Sequence, residues 1–344
     1  MMLPRLPKYY VKAATCLLGF LLLWISGLLD HAREKSFSRF EWPIETVDVR
    51  TLAVDLLADH SSSVPVLNDM DNLPVLIQPS CPKSDDDTVQ DRILLIVKSN
   101  VHNVNNREAI RRSWGKSNLI DGYGVRTIFV VGRFASPSDE KHMKVAVQQE
   151  AEKNRDLLWI DAVDTYRNNT LKLLHSIHYA YSPAHSCQRS DFVLLIDDDY
   201  MLSVENLVRL IKSKHPYNIL YEGWRFDTSP FRYVFHKHRV SLSDYPFDAY
   251  PPYITAGAVL ISKQTVSYFF QAMKFLKLYP YDDIYTGIVA YQLGIIPSHN
   301  DGFVFWKRTI ASDEWKHGSV ICAHGFEPDE IETTYNAINL NAAG

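Results

Sequence analysis

Three consecutive aspartates, Asp197, Asp198 and Asp199, stand where an apolar run ends in the stretch DFVLLIDDDYML, residues 191–202. Carboxylates crowded together at the end of a buried strand repel one another unless a cation balances them. Oxygen ligands of this kind favour Mg²⁺ or Mn²⁺. Alternate residues of an extended chain share a side, so Asp197 and Asp199 are predicted to hold a metal that bridges a nucleotide diphosphate. The alternative, a solvated turn, is disfavoured by the apolar residues on both sides.

A second acidic pair, Asp282 and Asp283, precedes a helical pattern in the stretch LYPYDDIYTGIVAYQLG. Either carboxylate could cap that helix. One of them could instead act as a general base that takes the proton of an acceptor hydroxyl. The residues alone leave both interpretations open.

Other polar residues have a structural and a functional interpretation. His324 ends an apolar run, VICAH, and is either structural or a ligand on the far side of the metal. Lys172 could reach a phosphate or pair with Asp164, although a solvated lysine is the default. Asn168 opens an Asn-Asn-Thr sequon and is either glycosylated or the polar start of a helix.

The middle of the chain is rich in aromatic residues, which either belong to the core or form walls on which sugar rings stack. Their spacing favours the core. These residues are Trp224, Tyr245, Phe247, Tyr250 and Tyr253.

The elements that must position these residues alternate between strands and helices. Order is predicted to begin at Arg92 with the apolar strand RILLIVKSN, followed by a helix with Asn106 as its N-cap. Three further strands are predicted: the second ends in FVVG, the third is DLLWIDA, and the fourth ends at Asp197. This alternation predicts an open α/β sheet with right-handed crossovers. Ligands of such sheets bind at the carboxyl ends of the strands, where the triple aspartate stands.

The N-terminus carries an uncharged run of about 17 residues, 13–29, which is near the minimum length of a membrane-spanning helix. Arg5, Lys8 and Lys12 precede it, which predicts a cytoplasmic tail at 1–12 and a lumenal remainder. A cleaved signal peptide is the alternative. A polar stem is predicted at 30–88 and a lumenal catalytic domain at 89–344. The short span suits an early-secretory or Golgi membrane.

The composition narrows the class of protein. The chain has 344 residues, 46% of them hydrophobic, and a formal charge of -4, which favours one large catalytic domain and gives no reason to expect a nucleic-acid partner. Three cysteines lie beyond the apolar run, Cys81, Cys187 and Cys322, so at most one internal disulfide is expected.

Six motifs in order carry a resemblance to a known family: REAIRRSWG, FVVG, DTYRNNTLK, VLLIDDDYML, YPPYITAGAVLIS and YDDIYTGIVAYQLG. Over residues 92–332 the chain resembles glycosyltransferase family 31, the β-1,3-galactosyl and N-acetylglucosaminyl transferases, and most of all its invertebrate Brainiac-type members. The resemblance implies a GT-A-type α/β domain, a Golgi type II membrane protein and a dependence on Mn²⁺ or Mg²⁺.

The resemblance also implies a reaction. N-acetylglucosamine would pass from UDP-GlcNAc, with inversion, in β-1,3 linkage to a β-mannosyl glycolipid or glycosphingolipid core or to a glycoprotein glycan. Transfer of galactose from UDP-galactose is the alternative. An inactive lumenal chaperone or lectin on the same fold is disfavoured by the intact D-x-D and acidic pair.

The family motifs assign roles by position. Asp283 matches the base, and Asp197, Asp199 and His324 match the metal site, with Asp199 the more direct ligand. Residues implied in donor binding are Arg107, Arg111, Asp164, Lys172 and Asp198. Residues implied in acceptor binding are Tyr253, Gly257 and Asp282.

Overall fold

The computed structural model describes residues 7–42, 47–80, 91–116, 118–182 and 190–340. Arg5, Cys81, Cys187 and the predicted boundary between residues 88 and 89 lie outside them. The chain divides into two compact units: Met1–Glu41 with Asp227–Pro251, and Trp42–Phe226 with Pro252–Gly344.

The strands all belong to the larger unit. They are β1 (Val75–Ile77), β2 (Asp91–Lys98), β3 (Asn118–Ile120), β4 (Tyr123–Arg133), β5 (Leu157–Val163), β6 (Phe192–Asp197), β7 (Tyr200–Leu202), β8 (Tyr221–Phe226), β9 (Tyr253–Ser262), β10 (Ser298–His299), β11 (Phe303–Val304) and β12 (Cys322–His324).

The helices are α1 (Lys8–Ile25) and α2 (Leu28–His31) in the smaller unit, and nine more in the described part of the larger one. These are α3 (Val49–Leu57), α4 (Val104–Arg112), α5 (Pro137–Asn154), α6 (Asn169–Tyr181), α7 (Val204–Ile211), α8 (Lys263–Met273), α9 (Asp282–Gln292), α10 (Ser312–His317) and α11 (Pro328–Leu340).

The main sheet has the strand order β1-β5-β4-β2-β6-β9-β8-β10, with β3 paired to β4. Strands β2, β4, β5 and β6 run parallel, and β9 is antiparallel to β6. From β2 the chain first builds outward through β4 and β5, and then returns to the other side of β2 with β6. Crevices at such a reversal of direction are where open α/β sheets bind ligands. The predicted α/β sheet is confirmed, and it is mixed because β9 runs antiparallel to β6.

The core explains why these segments are strands. Residues 93–97 of β2 and 192–196 of β6 are buried on both faces, as the continuous apolar runs predicted. Their parallel register places Lys98 opposite Asp197, so strands β2 and β6 both leave the apolar core at the same edge of the sheet. The triple aspartate is therefore carried by a rigid central strand.

A small second sheet, β11-β12-β7, lies beyond this edge. Strand β7 follows the aspartates directly and pairs antiparallel with β12, so that Tyr200 is opposite His324. Residues 124 positions apart in the chain are thereby brought together. This pairing carries the C-terminal histidine to the triple aspartate.

Two local expectations are wrong. Order begins before Arg92: α3 buries Val49, Leu52 and Ala53, and β1 pairs antiparallel with β5. Asn103, rather than Asn106, is the N-cap of α4, and the Asn106 side chain donates instead to the carbonyl of Asp198 at 3.1 Å. Both differences come from contacts between residues that are distant in the sequence, which a local sequence pattern does not contain.

The predicted spanning run is not one helix. Helix α1 ends at Ile25, Gly27 has a φ of 80°, and a short helix α2 follows. Among the described residues, α1 is the helix that is long and apolar enough to cross a membrane, and it is a candidate anchor.

Candidate active site

Lys98 organises the edge of the sheet. Its Nζ lies 3.0 Å from Asp197 Oδ1 and 2.6 Å from Asp282 Oδ2, and its side chain is almost fully buried. Burial alone would lower the pKa of Lys98, but the charges of Asp197 and Asp282 outweigh it and raise that pKa. One cation therefore joins the triple aspartate to the second acidic pair. Sequence reasoning missed Lys98, although its place at the carboxyl end of an apolar strand was a signal.

The ionised form of Asp197 is destabilised by its surroundings. Burial raises the pKa of Asp197 to about 7, with a further contribution from Asp199, although Lys98 opposes the rise. The side chain nevertheless keeps 36% of its surface exposed, so it is accessible to a ligand from outside.

Asp198 points the other way, into the protein. Its Oδ2 accepts hydrogen bonds from Ser99 Oγ at 2.6 Å and from Asn103 Nδ2 at 3.0 Å. These bonds tie the aspartate strand to the loop after β2. The donor-binding role implied for Asp198 stays a prediction, and the contacts present are all internal.

Asp199 and His324 form the third part of the site. Asp199 Oδ2 lies 3.0 Å from His324 Nε2, and the hydrogen bond and charge of Asp199 raise the pKa of His324 although burial opposes this. Their side chains are 43% and 38% exposed. Among the residues that the structure describes, the buried atoms Asp199 Oδ1 and His324 Nδ1 find no hydrogen-bond partner. The structure thus brings His324 to Asp199 of the D-x-D, and the metal-ligand role implied for both residues stays a prediction.

These groups fit a hard divalent cation. Asp197 and Asp199 supply carboxylate oxygens, one of them unpaired, and His324 supplies a nitrogen compatible with Mn²⁺. Within the residues described, no three His, Cys, Asp or Glu side chains are already arranged around one point as a closed metal centre. A metal here would therefore need further ligands, which the oxygens of a diphosphate and water can provide.

Asp282 and Asp283 open α9 and face different surroundings. Asp282 is buried against Lys98, whereas Asp283 is half-buried and its Oδ1 accepts the backbone N–H of Ile284 at 2.8 Å. Burial and the charge of Asp282 together raise the pKa of Asp283 above that of an ordinary aspartate. Asp283 is thus the more accessible member of the pair, and its role as the base stays a prediction. The contacts of Asp282 are those of a buried ion pair.

The arginines implied in donor binding lie inside the protein. Arg107 is fully buried, pairs with both oxygens of Glu150 at 2.7 Å, and donates to Ser99 Oγ at 2.9 Å. Arg111 pairs with Glu150 and with Asp156. Because Ser99 in turn donates to Asp198, the contacts of Arg107 position the aspartate strand. Donor binding by either arginine stays a prediction.

Lys172 and Asp164 form the buried pair that the sequence allowed, at 2.6 Å. Lys172 Nζ also donates to the carbonyl of Ser99, while Asp164 Oδ2 accepts the N–H groups of Val101 and Gly132. The pair therefore holds the ends of two neighbouring strands together. Contact with the donor stays a prediction for both residues.

Two of the implied acceptor residues have clear structural partners. A Cβ on Gly257 would lie 2.0 Å from Tyr200 Oη, so only glycine leaves room for that ring, whose centroid is 5.2 Å from His324. Tyr253 is buried beside Phe226, on a strand that packs against α9. Their acceptor roles stay predictions.

The aromatic residues divide as their spacing indicated. Four of them are buried, namely Tyr245, Phe247, Tyr250 and Tyr253. Trp224 is half-buried and packs against Phe305 and Trp306, which directly follow β11. Because β11 pairs with the strand that ends in His324, this aromatic cluster adjoins the strand that carries His324.

Two other predictions concern single side chains. Asn168 Nδ2 donates to the carbonyl of Val163 at 2.9 Å, and the Thr170 hydroxyl is buried against the carbonyl of Tyr279, so the contacts of the sequon are those of a helix start. Glycosylation stays a prediction. Cys322 is a buried free thiol.

An open cleft of about 660 Å³ adjoins His324. It is lined by Lys307, Phe326 and the acidic start of α11, among others. His324 is the candidate site residue in the lining of this cleft, so the cleft adjoins the histidine end of the site.

The sequence matches known proteins. The Galactosyltransferase family model matches residues 105–301. The Caenorhabditis elegans protein named Beta-1,3-galactosyltransferase bre-5 is 39% identical over 92% of this chain and 90% of its own length. The Drosophila melanogaster Beta-1,3-galactosyltransferase brn is 33% identical over 96% of both chains.

A solved structure aligns more loosely. The galactosyltransferase LgtC in complex with donor and acceptor sugar analogs is 11% identical over 72% of this chain and 94% of that chain, with a TM-score of 0.35, and adds nothing to the assignment. The family model and the two invertebrate relatives, together with the mixed sheet and its strand-end aspartates, decide it. The chain belongs to the galactosyltransferase family, glycosyltransferase family 31, and is a UDP-sugar-dependent glycosyltransferase with the predicted GT-A-type domain.

Proposed function

We propose that the protein transfers an N-acetylhexosamine or a hexose, with inversion, from a UDP-sugar to the 3-hydroxyl of a sugar in a membrane glycolipid or a glycan. The observation that carries this proposal is the arrangement around Lys98. A single buried cation links Asp197 of the D-x-D to Asp282, whose neighbour Asp283 is accessible and has a raised pKa. A leaving-group side and a base side are thereby held at a fixed separation.

On the base side, Asp283 accepts the proton of the acceptor hydroxyl as that oxygen attacks the anomeric carbon from the face opposite UDP. The α9 backbone orients the carboxylate through the Ile284 N–H. Lys98 keeps Asp282 turned away, so that only one carboxylate of the pair meets the hydroxyl. A single in-line displacement inverts the configuration and requires no covalent intermediate.

On the leaving-group side, Asp197, Asp199 and His324 would hold Mn²⁺ or Mg²⁺. When bound, the metal supplies charge neutralisation for the diphosphate that leaves. Asp198, Ser99 and Asn103 fix the loop that carries these ligands.

Two donors compete. N-acetylglucosamine is the proposed sugar, because the motifs resemble the Brainiac-type members of the family. Galactose is the second candidate, because bre-5 and brn are both named beta-1,3-galactosyltransferases. The half-buried Trp224 and the neighbouring Trp306 offer aromatic faces on which a sugar ring of the acceptor can stack.

The cellular setting is part of the proposal. Helix α1 would anchor the protein in the Golgi membrane as a type II protein, with the catalytic domain in the lumen, as the basic residues before the apolar run predict. The predicted cytoplasmic tail, membrane span and lumenal catalytic domain belong to the proposal too, and α3 and β1 of the predicted stem are assigned to the folded larger unit.

The test is a donor competition. The full chain in detergent is given equal UDP-GlcNAc and UDP-galactose with a β-mannosyl glycolipid acceptor and Mn²⁺, and the product is analysed for sugar and linkage. A β-1,3-linked N-acetylglucosamine product that disappears with chelator supports the proposal. A β-1,3-galactose product would select the second candidate, and an α-linked product would overturn the mechanism.

A further inference from the structure

The end of the anchor helix contacts a distant part of the chain. The carbonyl of Ile25, the last residue of α1, accepts the backbone N–H of Val234 at 3.0 Å. Gly27 has a φ of 80°, and a Cβ there would lie 2.6 Å from the carbonyl carbon of Arg232. The segment 227–251 therefore meets the chain at the point where the candidate membrane span stops.

This contact is held by a buried ion pair. The Arg232 guanidinium is 1% exposed and donates to Glu34 Oε1 at 2.7 Å and to the carbonyls of Val240, Tyr245 and Phe247 at 2.8–3.0 Å. A guanidinium that is satisfied in this way is costly to dislodge, because removing one partner leaves a buried charge. The residues after the anchor and the segment 227–251 thus form one small folded unit.

A second set of contacts fixes the same unit. The N–H of Lys35 donates to the carbonyl of Pro246 at 2.8 Å, and the N–H of Asp248 donates to the carbonyl of Lys35 at 2.9 Å. The ring of Phe40 lies 5.1 Å from that of Phe247. The segment therefore keeps its place relative to the end of α1.

One side of this segment is exposed and aromatic. Phe231, Tyr233 and Phe235, which we call the aromatic face, are 52%, 45% and 71% exposed. They alternate with the buried Arg232 and the half-buried Val234, and the exposed Lys237 continues the alternation. Phe231 also stacks on His236 and Tyr233 meets Phe235 edge-on, so the three rings form one exposed apolar patch that would gain free energy if a partner buried it.

The position of the aromatic face indicates the partner. Helix α1 spans about 27 Å over its 18 residues, with Lys8 and Lys12 at its start able to reach the headgroups. This length is close to the thickness of the hydrocarbon core of a bilayer, so the end of α1 lies near the opposite polar boundary. Tyr233 and Phe235 flank the residue that is hydrogen-bonded to that end. Aromatic rings are enriched at this depth, and a nearby lysine can reach the headgroups.

We infer that the aromatic face lies in the interfacial layer of the same bilayer that α1 crosses, and that it is a second membrane contact beside the anchor. The aromatic face enters the bilayer from the side on which the chain continues after α1. A second copy of the chain and bulk water are the other possible occupants of this surface.

The experiment is depth-dependent fluorescence quenching of Phe235→Trp in the full-length protein in nanodiscs. Since the chain already has seven tryptophans, the signal is the added emission relative to the unsubstituted protein. The quenchers are lipids brominated near the head of the acyl chain, compared with the same lipids without bromine, and aqueous iodide. Leu21→Trp, on α1 itself, is the positive control, and Tyr233→Trp is a second variant in case Phe235→Trp does not fold.

The inference predicts that brominated lipid removes most of the added emission of Phe235→Trp while iodide removes little. Emission that iodide quenches and brominated lipid does not would place the face in water and overturn the inference. Emission that neither quencher reaches would show a protein partner, such as a second copy, and would overturn it too. An unquenched Leu21→Trp would remove its basis, because α1 would then not be in the bilayer.

Discussion

Lys98 is the cation that joins the two acidic pairs of the site. It pairs with Asp197, whose side chain stays partly exposed, and with the buried Asp282. Replacing it by a neutral side chain leaves two carboxylates without their cation. We therefore expect Lys98→Met to lower the free energy of unfolding by about 3–5 kcal/mol, as for one partner of a buried ion pair, and to abolish transfer.

Chemical denaturation of the Lys98→Met variant measures this loss. Lys212→Met is the matched control, because Lys212 pairs with Asp121 at 2.8 Å with both side chains exposed. A surface pair of this kind contributes about 0–1 kcal/mol. Equal stability of the two variants would show that Lys98 is not the organising cation.

The pH dependence of turnover follows from Asp283. A general base works only when it is deprotonated, so the rate should rise with pH as Asp283 loses its proton. Burial and the charge of Asp282 raise the pKa of Asp283, and the rising limb is therefore expected clearly above about pH 4, the ordinary aspartate value. Steady-state rates across pH at saturating donor and metal measure it. A rate that is flat down to about pH 4 would contradict the raised pKa.

At the scale of elements, strands β7 and β9 approach each other through Tyr200 and Gly257. A methyl group at residue 257 would overlap the Tyr200 hydroxyl, so Gly257→Ala should cost about 1–3 kcal/mol through overpacking and should weaken metal-dependent activity through Tyr200 and its neighbour His324. Thermal unfolding and activity at several Mn²⁺ concentrations measure both effects.

The double variant Gly257→Ala with Tyr200→Ala provides the control. Removing the ring removes the overlap, so the two changes should cost less together than the sum of each alone. Strict additivity would mean that the two strands do not meet through these residues.

The elements also show how far the sequence can predict this protein. The strands that end at Lys98 and Asp197 follow from continuous apolar runs, and they are confirmed together with the helices after them, although the predicted cap Asn106 of α4 was wrong. The role of Lys98 could not be read locally, because its partner Asp282 is 184 residues away. Helix α3 and strand β1 were missed because they are short and are stabilised by distant elements. The ion pair of Arg232 with Glu34 was missed because its two residues are far apart in the sequence.

At the scale of the whole molecule, the segment before β2 belongs to the folded larger unit. Trp42 is buried and its Nε1 donates to the carbonyl of Lys277 at 2.8 Å, and Met70 is fully buried. A chain that starts after residue 87 loses these residues together with α3 and β1. We expect it to be unstable and aggregated, whereas a chain that starts at Ser26 should be soluble and folded, because α1 has no buried residues.

Secretion yield and melting temperature of the two truncated chains, each behind the same signal peptide, measure this difference. Equal melting temperatures would mean that α3 and β1 contribute nothing to the fold. The predicted stem would then be a simple linker after all.

The claim on which the account depends is that Asp283 is the base, and the most direct measurement is the turnover of Asp283→Asn alongside its donor affinity. We expect normal binding of UDP-sugar with Mn²⁺, an unchanged melting temperature and a turnover lower by about 10²–10⁴-fold. Asp282→Asn, which loses the charge opposite Lys98, should instead lower the melting temperature. Near-normal turnover of Asp283→Asn, or a loss of about 1 kcal/mol in stability with catalysis intact, as for a helix cap, would contradict the account.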